Sequence, residues 1–365
     1  MKEKYIFYSA QTQHENLGDR IINRELLKQL ASYGKVFVNV NNCPISYQEE
    51  LANTGANLIS CSFKSMVLRM ARLTLLSDKV IFVMKPGHFF GSDGGLTKRI
   101  LGLALFFFWR LIGIDVCRFG CSVGPYEKSI EIIEKFRSYF MRVYSVRESI
   151  SEIYARSIGV NKVTRCPDMA FLLLKSMNTI EINTRRDFVI SFRAGTLGVN
   201  DYKYLDGVVR KLKGLRDRGI INEDNTIFLS QVVMDAEAND YISAELGFNN
   251  ARSLVYSESN ETSIFELYGC SGFVLSNRLH VLLFAMSQGA IPIPMVDVSG
   301  HNKITGIFSD IGLEKLLFDL DGERSAEQHF ELIINDKSAI SNQIKNLFEV
   351  EAIKIHNTIK LALGS

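Results

Sequence analysis

Charge of one sign is what this chain has little of in excess: 42 Lys and Arg stand against 40 Asp and Glu, a formal net charge of +2 over 365 residues. No long basic block and no aromatic-basic ladder occurs, which argues against nucleic acid or another polyanion as a partner. The six cysteines (Cys43, Cys61, Cys117, Cys121, Cys166, Cys270) form no CxxC pair and no Cys/His cluster at zinc-ligand spacing. A structural metal and a disulfide framework are therefore not expected, and the thiols read as reduced core residues of a cytoplasmic chain. GxGxxG, the dinucleotide fingerprint, is missing, as are internal repeats and low-complexity tracts. The opening MKEKYIFYSAQ turns polar too soon for a signal peptide and reads as a first strand. No apolar run reaches the ~20 residues that a spanning helix needs.

The most apolar run, ILGLALFFFWRLIGI from Ile100 to Ile114, is broken by Arg110 and reads first as a buried helix between two strands. Its alternative is an interfacial helix that presses Phe106, Phe107 and Trp109 into lipid, with Lys98, Arg99 and Arg110 near headgroups. A second basic amphipathic stretch, FKSMVLRMARLTLL from Phe63 to Leu76, supports that alternative. Cytoplasmic placement is the expectation, with a peripheral contact at the inner membrane face as its extension.

With 47% hydrophobic and 22% charged residues the composition is that of an ordinary globular chain. Its length exceeds the usual single core, so two domains of roughly 150 to 180 residues are expected. Short β-branched or aromatic runs alternate with helical periodicity, the pattern of parallel-sheet α/β domains. The first half shows strands at YIFYSA, KVFVNV, NLISCS, KVIFVMK, DVCRFGCSV and VYSVR. Helix 19–33 places Ile22, Leu26, Leu27 and Leu30 on one face, and SISE (Ser149 to Glu152) reads as a capping box opening a helix that ends before Gly159. The polar segment Lys175 to Arg186 is the expected boundary. Strands resume at FVISFR and continue through NTIFLSQVV, SLVYS, GFVLSN and AIPIPM. The expected organisation is two Rossmann-like βα domains facing each other across a cleft, residues 1–180 and 181–335, with a closing helix over 336–365.

Ligands of open α/β sheets sit outside the carboxyl ends of the strands, so the residues that follow strands carry the functional reading. QTQHENLGDR puts Gly18 and Asp19 at a helix start, where Asp19 either favours the helix dipole or serves a ligand. KPGHFFGSDGG holds His88 among glycines that let a ligand approach the backbone. In CSVGPY the Gly124-Pro125 pair marks a turn; in CPDMAF, Asp168 either caps a turn or acts on substrate. FVISFR ends in Arg193, directed to the cleft.

The strongest signal is SNRLHVLLFAMSQGAIPIPM, Ser276 to Met295, an apolar helix that opens with Arg278 and His280. Burying an unpaired charge costs several kcal/mol, so such residues at the mouth of a core helix imply a partner. Ser276 or Asn277 is placed to cap the helix, which sets its free N–H groups and positive dipole end beside Arg278 and His280: an anion site. The two side chains share a face if the backbone there is extended and diverge if it is helical.

Taken in order, NLGD (Asn16 to Asp19), SVGP (Ser122 to Pro125), SVRESIS (Ser145 to Ser151), PDMAF (Pro167 to Phe171), ISFR (Ile190 to Arg193), SNRLH with FAMSQGAIPI, and Lys303 in HNKITGIFSDIGL resemble the polysaccharide pyruvyltransferase family. The resemblance runs from about residue 16 to 313. The glycine loop KPGHFFG and the GHN before Lys303 depart from the family pattern. The resemblance implies a GT-B-like fold and phosphoenolpyruvate as donor, with a pyruvate ketal on two hydroxyls of one sugar as product; no metal or further cofactor is required. By it, Arg193, Ser276, Asn277, Arg278, Leu279 and Lys303 hold the donor. Asn16, Gly18, His88 and Asp168 face the acceptor, a sugar or lipid-linked oligosaccharide. His280 and Asp19 are the catalytic candidates, His280 as acid or phosphate stabiliser and Asp19 as orienter or base for the acceptor hydroxyl.

The rival reading is a nucleotide-sugar glycosyltransferase of the same fold. Many of those carry paired glutamates before an AMxxGxP segment, and the equivalent places here hold Ser276 and Phe284. A non-catalytic glycan-binding subunit is the second rival, disfavoured by so many convergent cations.

Overall fold

The structure is a computed structural model and describes residues 3–76, 78–89, 95–173, 185, 187–195 and 201–364. The chain divides into two compact units: Met1–His14, Asp19–Leu172 and Glu351–Ser365 form one, Glu15–Gly18 and Leu173–Val350 the other. Apart from Arg185, the expected boundary segment lies outside the described residues.

The first unit carries strands β1 (Lys4–Ser9), β2 (Lys35–Asn39), β3 (Asn57–Ile59), β4 (Lys79–Met84), β5 (Gly87–Phe89), β6 (Asp115–Val123), β7 (Val143–Val146) and β8 (Val163–Arg165). Its helices are α1 (Leu17–Leu30), α2 (Ile45–Ala52), α3 (Phe63–Leu75), α4 (Gly95–Ile112), α5 (Lys128–Tyr139) and α6 (Ser149–Ser157). The strands form one parallel sheet in the order β3-β2-β1-β4-β6-β7-β8, with β5 paired to β6. β1 is flanked by β2 and β4, so the order reverses beside it. Burial follows from position: Ile6, Phe7 and Tyr8 of this central strand are all inaccessible. α1 buries Ile22, Leu26, Leu27 and Leu30, the face read from its periodicity.

Three expectations change here. Two of the three-residue strands, β5 and β8, were not visible in the sequence, whereas β3, equally short, was. The capping box at Ser149 does not form, because Glu148 occupies the cap position and no side chain caps the helix. Glu148 is instead committed to Ser122 Oγ (2.8 Å) and to Ser151. Finally, α4 is one-sided. Trp109, Phe106 and Arg99 face inward, Trp109 stacking on Phe106 at 5.6 Å, so they cannot be the residues that enter lipid. Phe107 is the one of the expected aromatic trio that faces out.

The second unit holds β9 (Asp187–Ser191), β10 (Thr226–Ser230), β11 (Arg252–Val255), β12 (Ser271–Ser276), β13 (Ile291–Val296) and β14 (Phe318–Asp319). The helices are α7 (Tyr202–Asp217), α8 (Ala236–Leu246), α9 (Glu261–Cys270), α10 (Leu279–Ser287), α11 (Asn302–Asp310), α12 (Ala326–Asn335) and α13 (Lys337–Leu363). The sheet is parallel in the order β11-β10-β9-β12-β13-β14. Counted along the unit this is 3-2-1-4-5-6, the Rossmann order, with its reversal between β9 and β12. Every residue of β12 and β13 is buried, as a central parallel strand covered on both faces requires. α13 belongs to both units, its residues through Val350 to the second and those from Glu351 to the first.

Candidate active site

The carboxyl ends of β9 and β12 flank the strand-order reversal of the second sheet, and side chains stitch them together. Ser276 Oγ donates to the Ser191 carbonyl (2.5 Å) and accepts from the Arg278 N–H (2.9 Å). Asn277 pairs with the Arg193 backbone in both directions, its Oδ1 accepting the N–H (2.9 Å) and its Nδ2 donating to the carbonyl (2.8 Å). On the other side of β9, Asn239 of α8 accepts from the Phe192 N–H (3.0 Å) and donates to the Leu229 carbonyl (3.1 Å). Ser276 and Asn277 are thus not helix caps but cross-strand braces. The cap position of α10 is Arg278 itself, with extended φ −104° and ψ 118°, and no side chain caps the helix.

These braces hold Arg193 and Arg278 at the strand ends, close enough that each cation senses the other. Burial holds the Arg193 guanidinium below its ordinary range, and the Arg278 charge lowers it further. Arg278 Nη2 meets Asp235 Oδ1 at 2.5 Å. Asp235 has no exposure, and its burial pushes its carboxyl up even though Arg278 pulls it down. One carboxylate therefore stands beside two guanidiniums. Among the buried side-chain atoms of the described residues that lack a hydrogen-bond partner, Arg278 Nε, Ser191 Oγ and Gln231 Nε2 fall together at the ends of β9, β10 and β12, while others are spread over both units. A buried unpaired donor costs about 1–3 kcal/mol, so such a cluster fits a place where an anion supplies the acceptors.

His280 is the second helical residue of α10, its ring stacked on Phe284 (5.7 Å, interplanar 14°). Residues 15–18 cluster with this unit, and a Cβ on Gly18 would overlap the His280 ring, which explains the glycine of NLGD. Asn16 Oδ1 accepts from the Gly18 N–H (3.0 Å) and closes the first turn of α1. Leu279 is the first residue of α10.

Lys303, half-buried in the first turn of α11, lies beside His301, whose protonation it disfavours. Burial is the main reason the His301 imidazole titrates below its ordinary range; its Nδ1 lies 3.2 Å from the Asp297 carbonyl. The ring packs at 6.0 Å from Tyr204. Tyr204 donates to the Met295 carbonyl (3.0 Å) and is hydrogen-bonded to Asn277, so the His301 ring is linked through Tyr204 to Asn277, the brace of Arg193.

The remaining candidates belong to the first unit. Asp19 is half-buried in the first turn of α1, its carbonyl accepting from Asn23 Nδ2 (2.5 Å). His88 lies on β5, half-buried. Both follow the reversal at β1 and β4, whose ends are tied by Lys85 Nζ donating to the Gln11 carbonyl (3.4 Å). Asp168 is elsewhere. It is 1% exposed, its Oδ2 meets Arg147 Nη1 at 2.5 Å, and its Oδ1 accepts from the Ala170 N–H (2.9 Å). Arg147 Nε also donates to Ser122 Oγ (2.6 Å). The motifs SVGP, SVRESIS and PDMAF therefore meet in one buried network that holds β6, β7 and the turn after β8. That commits Asp168 to capping and pairing rather than to an exposed acceptor site.

Asp235, Asn239, Tyr204 and His301 were missed by sequence reasoning. Asp235 had a usable signal, an aspartate in SQVVMD directly after a strand; the other three had none.

Two Rossmann-like parallel-sheet units are the architecture of the GT-B-like folds. The structural comparisons agree. A glycosyltransferase from Rickettsia africae is similar with a TM-score of 0.63 at 10% identity, covering 99% of this chain and 98% of that one. UDP-GlcNAc 2-epimerase from Neisseria meningitidis gives 0.60 at 12% identity, with 100% and 99% covered. A mutant O-GlcNAc transferase from Thermobaculum terrenum gives 0.56 at 10%, and there the chain spans only 66% of that protein's length. At such identities the likeness shows fold alone. No curated protein matches. The chain belongs to the polysaccharide pyruvyl transferase family, whose model matches residues 16–295.

Proposed function

We propose that the protein transfers the three-carbon unit of phosphoenolpyruvate to two hydroxyls of one sugar in a surface polysaccharide or its lipid-linked precursor, forming a pyruvate ketal and releasing phosphate. The observation that carries this reading is the pairing of Arg193 and Arg278 at the ends of β9 and β12, with buried unpartnered donors beside them. A donor with a phosphate and a carboxylate needs two guanidiniums with only one carboxylate near, and the N-terminus of α10 adds N–H groups to the set. Asp235 fixes the rotamer of Arg278 and leaves Arg193 as the cation most in need of an anion.

In this reading a proton adds to C3 of the donor and one sugar hydroxyl adds to C2. The C2–O bond to phosphate then breaks, and the second hydroxyl closes the ketal. One proton is gained at carbon and two leave the hydroxyls, so one is carried off with the phosphate or by solvent. His280 is assigned to the proton on the departing phosphate, and Lys303 to its charge. Asp19 and His88, after the first unit's switch point, are assigned to the acceptor.

The test is a thermal-shift titration of the purified protein with phosphoenolpyruvate and, separately, with UDP- and CMP-sugars, followed by phosphate-release assays on a panel of glycan acceptors. Binding at one hundred times Kd adds about 2.7 kcal/mol to stability, which is readily seen as a raised Tm. Phosphoenolpyruvate is expected to stabilise the wild type and not Arg193→Ala. Stabilisation by a nucleotide sugar alone would reverse the assignment.

A further inference from the structure

In the first unit α4 packs between α3 and α5: Phe63 of α3 lies 6.4 Å from Trp109, and Phe107 lies 5.3 Å from Phe140 just past α5. The outer faces of surface helices are normally polar. That of α4 is not. Ile100, Leu101, Phe107, Phe108 and Leu111, spaced to share one face, are each 48 to 67% exposed. α5 continues the surface with Ile132, Phe136 and Tyr139, each 50 to 53% exposed, and α3 with Leu68 and Leu75 at 71 and 81%. Apolar patches of this extent on soluble proteins mark a contact surface.

The charges say what kind. The sequences of α3 and α4 hold six basic residues, Lys64, Arg69, Arg72, Lys98, Arg99 and Arg110, and no Asp or Glu. Five of the six are on the surface, Arg99 being buried. α5 adds exposed Lys128 and Lys135; of its two acids Glu134 is buried and Glu131 is already paired with Lys128 (3.2 Å). Large apolar side chains interleaved with cations are the composition of a helix lying in a bilayer interface, where the chains enter the acyl boundary and the cations meet headgroup phosphates. A second copy of the chain is the poorer occupant. An isologous contact through this face would set the same cations against each other with no acid on α3 or α4 to receive them. No helix among the described residues is long and apolar enough to cross a membrane, so the contact is along the surface.

We propose that the outer face of α3, α4 and α5 docks on an anionic phospholipid surface. The inference is independent of the donor and of the reaction, and its test uses neither. The full chain is floated with vesicles of equal phosphatidylglycerol and phosphatidylcholine and with phosphatidylcholine alone. Binding is expected to the anionic vesicles only and to weaken as salt is raised. Phe107→Glu/Phe108→Glu is expected to lower the bound fraction by about tenfold or more, since each charge opposes both the apolar and the electrostatic attraction. Leu68→Glu/Leu75→Glu, on a different helix, is expected to do the same, so a folding failure in one pair leaves the other to decide. Leu332→Glu, exposed on α12 of the second unit, is expected to bind as the wild type does. Equal binding to neutral vesicles overturns the proposal, as does undiminished flotation of both double variants. So does a dimer, seen by light scattering, that the α4 pair dissociates.

Discussion

Arg278 has two jobs that a single substitution confounds. The proposed function assigns its guanidinium to the donor, and it also neutralises Asp235, which has no exposure to solvent. Removing one partner of a buried pair costs about 3–5 kcal/mol, because the other charge is left uncompensated. Arg278→Ala is therefore expected to lose at least ~10²-fold in turnover and also to melt lower, while Arg278→Ala/Asp235→Asn recovers stability without recovering activity. Equal melting of the single and double variants would show that the pair is not what holds Arg278. His280→Ala has no such complication. With the fold intact it is expected to cost at least ~10²-fold in phosphate release, and near-normal turnover removes His280 from the mechanism. Arg278 and His280 were legible as residues, because charge at the mouth of a core helix is a local anomaly. Asp235 was legible only as an aspartate after a strand; its pairing with Arg278 was not, since the two stand 43 positions apart and only the adjacency of β9, β10 and β12 brings them together.

At the scale of elements, most strands and helices were readable, even the three-residue β3, while β5, β8 and β14, of two or three residues, were not. The closing helix is a case of both. Its span is visible in the sequence, yet nothing local shows that its two halves serve different units. In the second half, Ile355, Ile359 and Leu363 are fully buried, and the Ala362 carbonyl accepts from Arg142 Nε (3.0 Å). Truncation after Val350 is expected to raise amide exchange across the first sheet, especially at β7, with little change at β9 and β12. Uniform exchange in both units would contradict this division. The failed capping box is instructive in the same way. SISE satisfies the local pattern, but Glu148 is drawn into the network with Ser122, Arg147 and Ser151, and a buried charged network outweighs a cap worth ~1 kcal/mol.

For the whole molecule, two histidines, His329 buried and His301 half-buried, make stability depend on pH. Burial holds both His301 and His329 below the ordinary value of 6.5. The unfolded chain then binds more protons than the native one once the pH drops below about 6.5, so the stability they support is complete above that value and declines as pH falls through it. Asp235, raised by burial from 3.8, acts with opposite sign as pH rises above that value. Tm is expected to fall between pH 7.5 and 5.5 in the wild type and to fall less in His301→Gln/His329→Gln. Parallel curves would assign the acid sensitivity to other groups.

What could be read from sequence was local in origin: the alternation that makes two parallel-sheet units and the charged mouth of α10. Each of these is a pattern over a few neighbouring residues, set by the periods of strand and helix. The tertiary structure alone decided which strand ends lie side by side. It therefore decided that Ser276 and Asn277 brace strands instead of capping a helix, that Asp168 is buried against Arg147, and that Trp109 faces the core while Phe107 faces out. Those outcomes rest on contacts between residues far apart in the chain, whose energies exceed the local preferences that sequence reading can see.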